Sequence, residues 1–353
     1  MNKQNFRVIF SKPRNALVVV AENISNQTKG SGSQSGSAPT TCSSSLMRFA
    51  HLAVAVSALF GSVTLVSAQI VADPNAASNR KPTVTSAPNG VPLVNIATPS
   101  SAGLSHNQFT SFSVDPKGVV LNNSATLSNT QTAGWVPGNA NITPGNAARV
   151  ILNEVTGTGI SQLNGTIEVA GQRAEVVIAN PNGLVVGGSG TAQFINTSRG
   201  VITTGTPVIG PDGGLQSLRV TRGDIQIGPG GLNGSNLDAL DLFARSVAVN
   251  GQLLGNSSLN VIAGANLIGY ADRGVQVIAG EGGAPAVAID SSALGGMFAN
   301  RIHLISTEAG AGVRSYAGIS ATAGDIDVDS KGVVTLGGRT TATGHVNINA
   351  TDG

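Results

Sequence analysis

Three aspartates stand two residues apart in the run GDIDVDS: Asp325, Asp327 and Asp329. On an extended strand that spacing turns all three carboxylates to one face, a row of oxygens of the kind that can hold Ca²⁺. The equivalent positions 20 residues on carry His345, Asn347 and Asn349, so the acidic row does not continue. An ordinary solvated strand face is the expectation. His106 and His303 are isolated, and the chain has no His-x-x-x-His and a single cysteine, Cys42, which leaves no zinc site. No Gly-x-Ser-x-Gly lies between a strand and a helix. The Gly-rich runs GPGGLNG and GEGGAPA are not followed by Gly-Lys-Ser/Thr, so they are turns and not phosphate loops. The Gly-Gly-x-Gly-x-Asp nonapeptide is not found in tandem. Catalytic residues, metal ligands and cofactors are therefore not expected. Trp135, Tyr270 and Tyr316 are scattered, which disfavours the row of sugar platforms of a secreted polysaccharide-degrading enzyme, the main rival reading.

A different motif stands out on spacing. In EVVIANPNGLVV, two apolar runs are joined by Asn180-Pro181-Asn182-Gly183, followed by Leu184. Pro181 presets φ for a tight turn, and Asn182 and Gly183 both tolerate positive φ. The turn is expected to join two strands, with Val177 and Val185 as candidates for the interior.

The elements around it must be strands. Only 3% of the 353 residues are aromatic and 11% charged, while Gly occurs 47 times. Globular chains average about 25% charged residues and about 7% Gly. Low charge disfavours a helical bundle, and short β-branched runs broken by Gly and Asn fit better. Such runs recur as VVLNN, ARVILNEV, GTIEVAG, AEVVIAN, GDIQIG, SVAVNG, SLNVIAG, IHLIS, GDIDVDS and HVNINA. The only helical suggestion is a short turn at residues 236–245. The first half alone is compatible with a sandwich. The tail points elsewhere: Gly312 to Val328 and Gly332 to Ile348 align without gaps at an offset of 20 residues. A repeat this short cannot bury its own apolar face and must stack on neighbours. The expected fold is all-β, a parallel β-helix of ~20-residue coils.

The first 68 residues read as a leader. SLMRFAHLAVAVSALFGSVTLVSAQ offers Arg48, an apolar stretch from Leu52 to Val66, and a Val66-Ser67-Ala68 end. That is a secretory signal with cleavage between Ala68 and Gln69, made by signal peptidase after passage through the Sec machinery. Residues 1–68 hold six basic residues and one acidic, +5, and the remaining 14 basic and 17 acidic give −3. The basic balance thus belongs to the leader. Nucleic acid is not an expected partner, and loss of Cys42 leaves an exported chain without disulfides.

MNK…FRVIF…RNALVVVAE resembles the extended signal region that precedes very large bacterial exported proteins. The strings AGLSHNQFTSFSVDPKGVVLNNS, ARVILNEVTG, QLNGTIEVAGQRAEVVIANPNGL and VIAGAN resemble the secretion domain of the two-partner secretion family. That family includes filamentous haemagglutinins and contact-dependent growth-inhibition effectors. The resemblance implies a right-handed parallel β-helix with an N-terminal cap and a few extra-helical strands. It also implies recognition by the POTRA domains of a cognate outer-membrane TpsB-type β-barrel transporter of a Gram-negative bacterium, and display at the cell surface. Surface receptors on host or neighbouring cells are further possible partners, and a stand-alone glycan-binding adhesin is a second alternative. Two family motifs are tied to secretion. Asn-Pro-Asn-Gly-Ile/Leu corresponds to Asn180, Pro181, Asn182, Gly183 and Leu184. Asn-Pro-Asn-Leu falls opposite Asn139-Ala140-Asn141-Ile142, where alanine stands for proline. The Cys-x-x-Cys of some relatives is replaced by VVGGSGTAQFIN.

The expected division is an extended signal peptide at 1–68, with an extended region at 1–30, a Gly/Ser-rich linker at 31–46 and a Sec-type signal at 47–68. An irregular cap segment is expected at 69–86 and the secretion domain at 87–353. The chain stops at NINATDG, directly after a repeat strand, so this domain is expected to continue into a longer exported protein.

Overall fold

A computed structural model describes residues 6–11, 16–21 and 69–351. The chain divides into two units, Met1–Leu65 and Val66–Gly353. In the first, the apolar strands Phe6–Ser11 and Ala16–Ala21 pair antiparallel, Phe6 opposite Ala21. The linker and signal segments expected at 31–46 and 47–68 lie outside the described residues.

The second unit is a parallel β-helix. Each complete coil contributes one strand to each of three long sheets of ten, seven and ten strands, parallel except at the N-terminal end. One coil runs through Val150–Val155, Ser161–Leu163 and Thr166–Gly171, and the next through Ala174–Ala179, Leu184–Val186 and Ala192–Ile195. Each strand lies in register on the same strand of the coil before it, as Ile151 on Val176 and Leu163 on Val186. At the N-terminal end the pairing changes. Ile70–Ala72 runs antiparallel to Leu104–Phe112, and Thr83–Ser86 antiparallel to Pro92–Asn95.

Alternation of side chains fills the interior. Ile151, Val176, Leu240, Leu259, Ile302 and Ile326 stack coil upon coil in one fully buried row of the core. Each such side chain contributes about 1.5–3 kcal/mol by leaving water. Gly200 occupies this row between Val176 and Leu240. A Cβ there would come within 2.9 Å of Leu237 Cδ1 and 3.1 Å of the Phe194 ring, so the ring fills the space that the glycine leaves. Near the N-terminal end Asn107 lies on Asn153, both fully buried, and Asn107 Nδ2 donates to Leu152 O at 3.2 Å.

Two insertions leave the helix and pair with each other. Thr206–Ile209, Leu215–Val220, Asn266–Gly269 and Val275–Val277 form a four-stranded antiparallel sheet. It covers the outer face of the first long sheet and encloses a second core of Leu152, Val177, Val201, Leu218, Phe243 and Ile268 with their neighbours.

Three expectations need correction. Val177 is buried, but in this outer core, and Val185 is half-exposed; the main core receives Val176, Ile178, Leu184 and Val186 instead. The inward positions are even-numbered on both sides of the motif turn, so the whole alternation runs one position off the expected one. Residues 236–245 are not a helical turn: Ala239–Ala244 is a strand buried along its whole length. The 20-residue offset holds for Ile326 on Val346, but the other two strands pair Val313 with Val334 and Ile319 with Thr340, an offset of 21. A shorter corner restores 20 beyond Ala342. A Cβ on Gly312 would consequently meet the backbone of Val333.

Candidate functional site

Strand Ala174–Ala179 ends on Asn180, which is fully buried. A buried carboxamide must place two donors and an acceptor, and Asn180 uses them to tie coils together. Its Nδ2 donates to Gly159 O at 2.9 Å and Ser161 Oγ at 3.0 Å in the preceding coil. Its backbone N–H donates to Thr203 O at 2.9 Å in the following one. Its Oδ1 accepts from Asn182 N at 3.0 Å, while Gly183 N donates to Asn180 O at 3.1 Å. Pro181 and Asn182 thus occupy the two centres of a β-turn. Asn182 does not take the positive φ that the sequence allowed it; Gly183 does, at +117°. Asn182 also reaches back, its Nδ2 donating to Gly157 O at 2.8 Å. Leu184, 2% exposed, then enters the core.

The first motif repeats the pattern. Asn139 is 1% exposed; its Nδ2 donates to Ile96 O and Asn122 O, both at 2.9 Å. Its Oδ1 accepts from Asn141 N at 3.0 Å, and Ile142 N donates to Asn139 O at 3.0 Å. Asn141 Nδ2 donates to Ile96 O at 3.0 Å. Ile142 enters the core as Leu184 does. Ala140 is exposed at the proline position, and the turn forms without the ring. The two motifs are built alike but lie in different places: one ties the N-terminal strands to the first coil, the other ties its own coil to the one before and the one after.

Gln69, on the far side of the expected cleavage point, accepts through its carbonyl from Ser113 N at 3.3 Å and Ser111 Oγ at 3.0 Å. Ala68 lies outside the described residues. The aspartate row does not converge on a point. Asp325 Oδ1 accepts from His345 N at 2.7 Å, Asp327 from Asn347 Nδ2 at 2.8 Å and Asp329 from Asn349 Nδ2 at 3.3 Å. These are ladder contacts between neighbouring coils. Among the described residues no group of three or more His, Cys, Asp or Glu side chains is placed to hold a metal ion.

Sequence reasoning missed a buried ionic cluster that fastens the extra-helical sheet. Asp241, fully buried, accepts from Arg199 Nε at 2.6 Å, Asn260 Nδ2 at 2.7 Å and Arg273 Nε at 3.1 Å. Arg199 Nη1 donates to Tyr270 O at 2.7 Å, and its guanidinium lies 4.5 Å over the Tyr270 ring. Tyr270 OH donates to Glu175. Burial first, and then the Glu175 charge, push the phenol far above its ordinary value of 10.0. The signal was present in the sequence, since an aspartate inside the apolar run ALDLFA calls for a cation or strong donors beside it when it is buried.

Family models match the chain in two places: "TPS secretion domain" over residues 68–336 and "Extended Signal Peptide of Type V secretion system" over residues 1–59. Among curated proteins, the chain is 42% identical over 346 residues to the tRNA nuclease CdiA-2 of Burkholderia pseudomallei, covering 97% of this chain and 11% of that protein. It is 41% identical over 355 residues to Toxin CdiA of Yersinia pestis, covering 100% and 11%. It is 48% identical over 264 residues to a tRNA nuclease CdiA of Escherichia coli, covering 73% and 8%. The chain thus spans about a tenth of the length of these relatives. Among solved structures, the filamentous hemagglutinin secretion domain superposes with a TM-score of 0.65 at 34% identity, covering 80% of this chain and 99% of that one.

Proposed function

Because the chain belongs to the family of two-partner secretion domains, we propose that it works as the export and fold-templating domain of a contact-dependent inhibition effector. Its extended signal peptide and secretion domain mark it for the cell surface or the extracellular space. The effector reading, over that of an adhesin, is supported by the CdiA names of its relatives. Within the described residues the domain is read as non-catalytic.

The chain passes the inner membrane unfolded through the Sec machinery, and signal peptidase cuts between Ala68 and Gln69. The POTRA domains of a cognate transporter then hold it, an extended segment pairing with a POTRA sheet edge. Outside the cell, the first coils form and each finished coil offers the next strand a parallel edge. Burial of each coil opposes backsliding, so no ATP is required at the outer membrane.

One observation carries this mechanism: Asn139 and Asn180 are buried, and their side chains donate to carbonyls of residues that precede them in the chain. A group enclosed in this way is not available to a receptor in the folded domain. Its role is to fix each turn onto what has already folded. Pulse-labelled chain is followed from periplasm to medium, with and without the transporter. Wild type is expected in the medium only with the transporter, and Asn180→Ala and Asn182→Ala are expected to lower that fraction. Equal export without the transporter, or normal export of both variants, overturns the mechanism.

A further inference from the structure

The chain contains one tryptophan, Trp135, and it is 63% exposed. It lies on the hairpin Ser128–Thr130 and Gly134–Val136, which packs Val136 and Ala133 against the outside of the third long sheet. Trp135 is paired with Asn129. Directly paired residues project to the same face with Cβ atoms about 5 Å apart, so the indole stands beside the Asn129 carboxamide. Leu127, also 63% exposed, shares that outward face two residues away. Folding does not need an indole here, because the inner face of the hairpin already fills its own core.

Asn129 also forms the wall of an open groove of about 480 Å³. The groove runs between the hairpin and the outer face of the long sheet, with Gln131, Glu168, Ile195 and Asn196 among its walls. Its lining carries no cationic side chain and a single carboxylate, Glu168. Glu168 is 4% exposed, and its two oxygens accept from Gln131 N and Thr132 N at 2.7 Å. Its charge is therefore held inside the wall. Asn196 Nδ2 donates to Val169 O at 2.8 Å and Gly171 O at 3.0 Å, leaving its carbonyl oxygen over for a ligand. The side-chain amides of Asn129 and Gln131 have no hydrogen-bond partner among the described residues.

We propose that this face is a binding site for a neutral glycan, with Trp135 as the stacking platform and Asn129, Gln131 and Asn196 reading the hydroxyls. A pyranose ring has an apolar C–H face that lies flat on an indole. Its equatorial hydroxyls both donate and accept, as carboxamides do. An anionic ligand has no counter-charge in this groove, and both oxygens of the groove's one carboxylate are already taken up by backbone N–H groups. The glycan site does not rest on the export reading: the hairpin ends at Val136, three residues before the Asn139 turn, and none of the residues assigned to the site belongs to either Asn turn.

The lone indole gives a direct readout. The folded full-length chain is titrated with cellotetraose, chitotetraose, maltotetraose and lacto-N-neotetraose while tryptophan emission is recorded. A saturable shift of the emission with at least one of them is expected. By calorimetry with that sugar, Trp135→Ala is expected to abolish binding and Trp135→Phe to weaken it less. Asn129→Ala is expected to weaken it roughly three- to tenfold, the loss of one or two hydrogen bonds. Unchanged circular dichroism and unchanged transporter-dependent export of Trp135→Ala separate the glycan site from folding and secretion. The proposal is overturned if no tetrasaccharide shifts the emission, if Trp135→Ala binds as wild type does, or if the purified periplasmic domains of the transporter shift the emission and the sugars do not.

Discussion

At the scale of single residues, Asn139 and Asn180 show how much a turn can depend on what lies behind it. Their amides donate to carbonyls of residues that precede them in the chain, so these turns are specified by their surroundings as well as by their own φ and ψ. That explains why Ala140 can stand where Pro181 stands in the second motif: the Asn139 and Asn141 contacts hold the turn in the same form. Proline adds only preorganisation, by restricting the unfolded chain. Ala140→Pro is accordingly expected to raise unfolding free energy by about 0.4–1 kcal/mol, measured by urea denaturation, with the Ile142-to-Asn139 bond retained. The motif itself was legible in the sequence through family resemblance and turn chemistry. The burial of its asparagines was not, because a carboxamide in a turn reads as a surface group until the stacked coil encloses it.

At the scale of elements, the parallel sheets were legible where alternation is regular, as in IHLIS and GDIDVDS. They were misread where both faces of a strand are covered. Ala239–Ala244 has no alternation because its inner face meets the main core and its outer face the extra-helical sheet. A continuously apolar run with one aspartate reads as a helical turn when no second layer is foreseen. The family resemblance implied a few extra-helical strands, but which residues form them was not legible, because the strands pair across a sequence gap, Leu218 with Ile268. Asp241 is the point where this sheet is fastened. Removing the acid leaves Arg199 without its buried counter-charge, and breaking a buried pair costs about 3–5 kcal/mol. Asp241→Ala is expected to lose about that much, with amide exchange rising first in Leu215–Val220 and Asn266–Gly269. Replacing Asp241, Arg199 and Arg273 together by apolar residues of similar volume is expected to recover much of the loss.

The whole molecule carries few charges, and those that are buried set its response to acid. Burial disfavours the Glu154 carboxylate, but hydrogen bonds from His106 at 2.6 Å and Gln108 at 2.9 Å, with the charges of His106 and Arg80, outweigh it. Glu154 is thus held below its ordinary 4.5. Asp73, which accepts from Thr156 Oγ1 at 2.7 Å and from Asn75 N at 2.8 Å, is likewise held below 3.8. A carboxylate with a depressed folded value stabilises fully above its unfolded value and loses that contribution as pH falls through the folded one. The contribution of these two groups is therefore expected to stay level from neutral pH down to about 5 and to fall from about 4.5 downward. In thermal melts at stepped pH, Glu154→Gln is expected to show a lower plateau and a shallower acid limb than wild type.

The extra-helical sheet also gives the solenoid a mechanical grain. A chain drawn out from its C-terminal end would lose its parallel strands one coil at a time, since each rests only on the coil before it. Peeling of Val346–Ala350 and Ile326–Ser330 would meet little more than one short ladder at each step, and before Ile302–Ser306 can follow, the buried Glu308–Arg245 pair must open. The pull would then reach Asn266–Gly269, locked antiparallel to Leu215–Val220 and clamped through Arg273 to Asp241. There several coils must give way together, and the tension would climb before it drops. The two insertions therefore act as a rip-stop, beyond which unravelling from the outer end does not easily run.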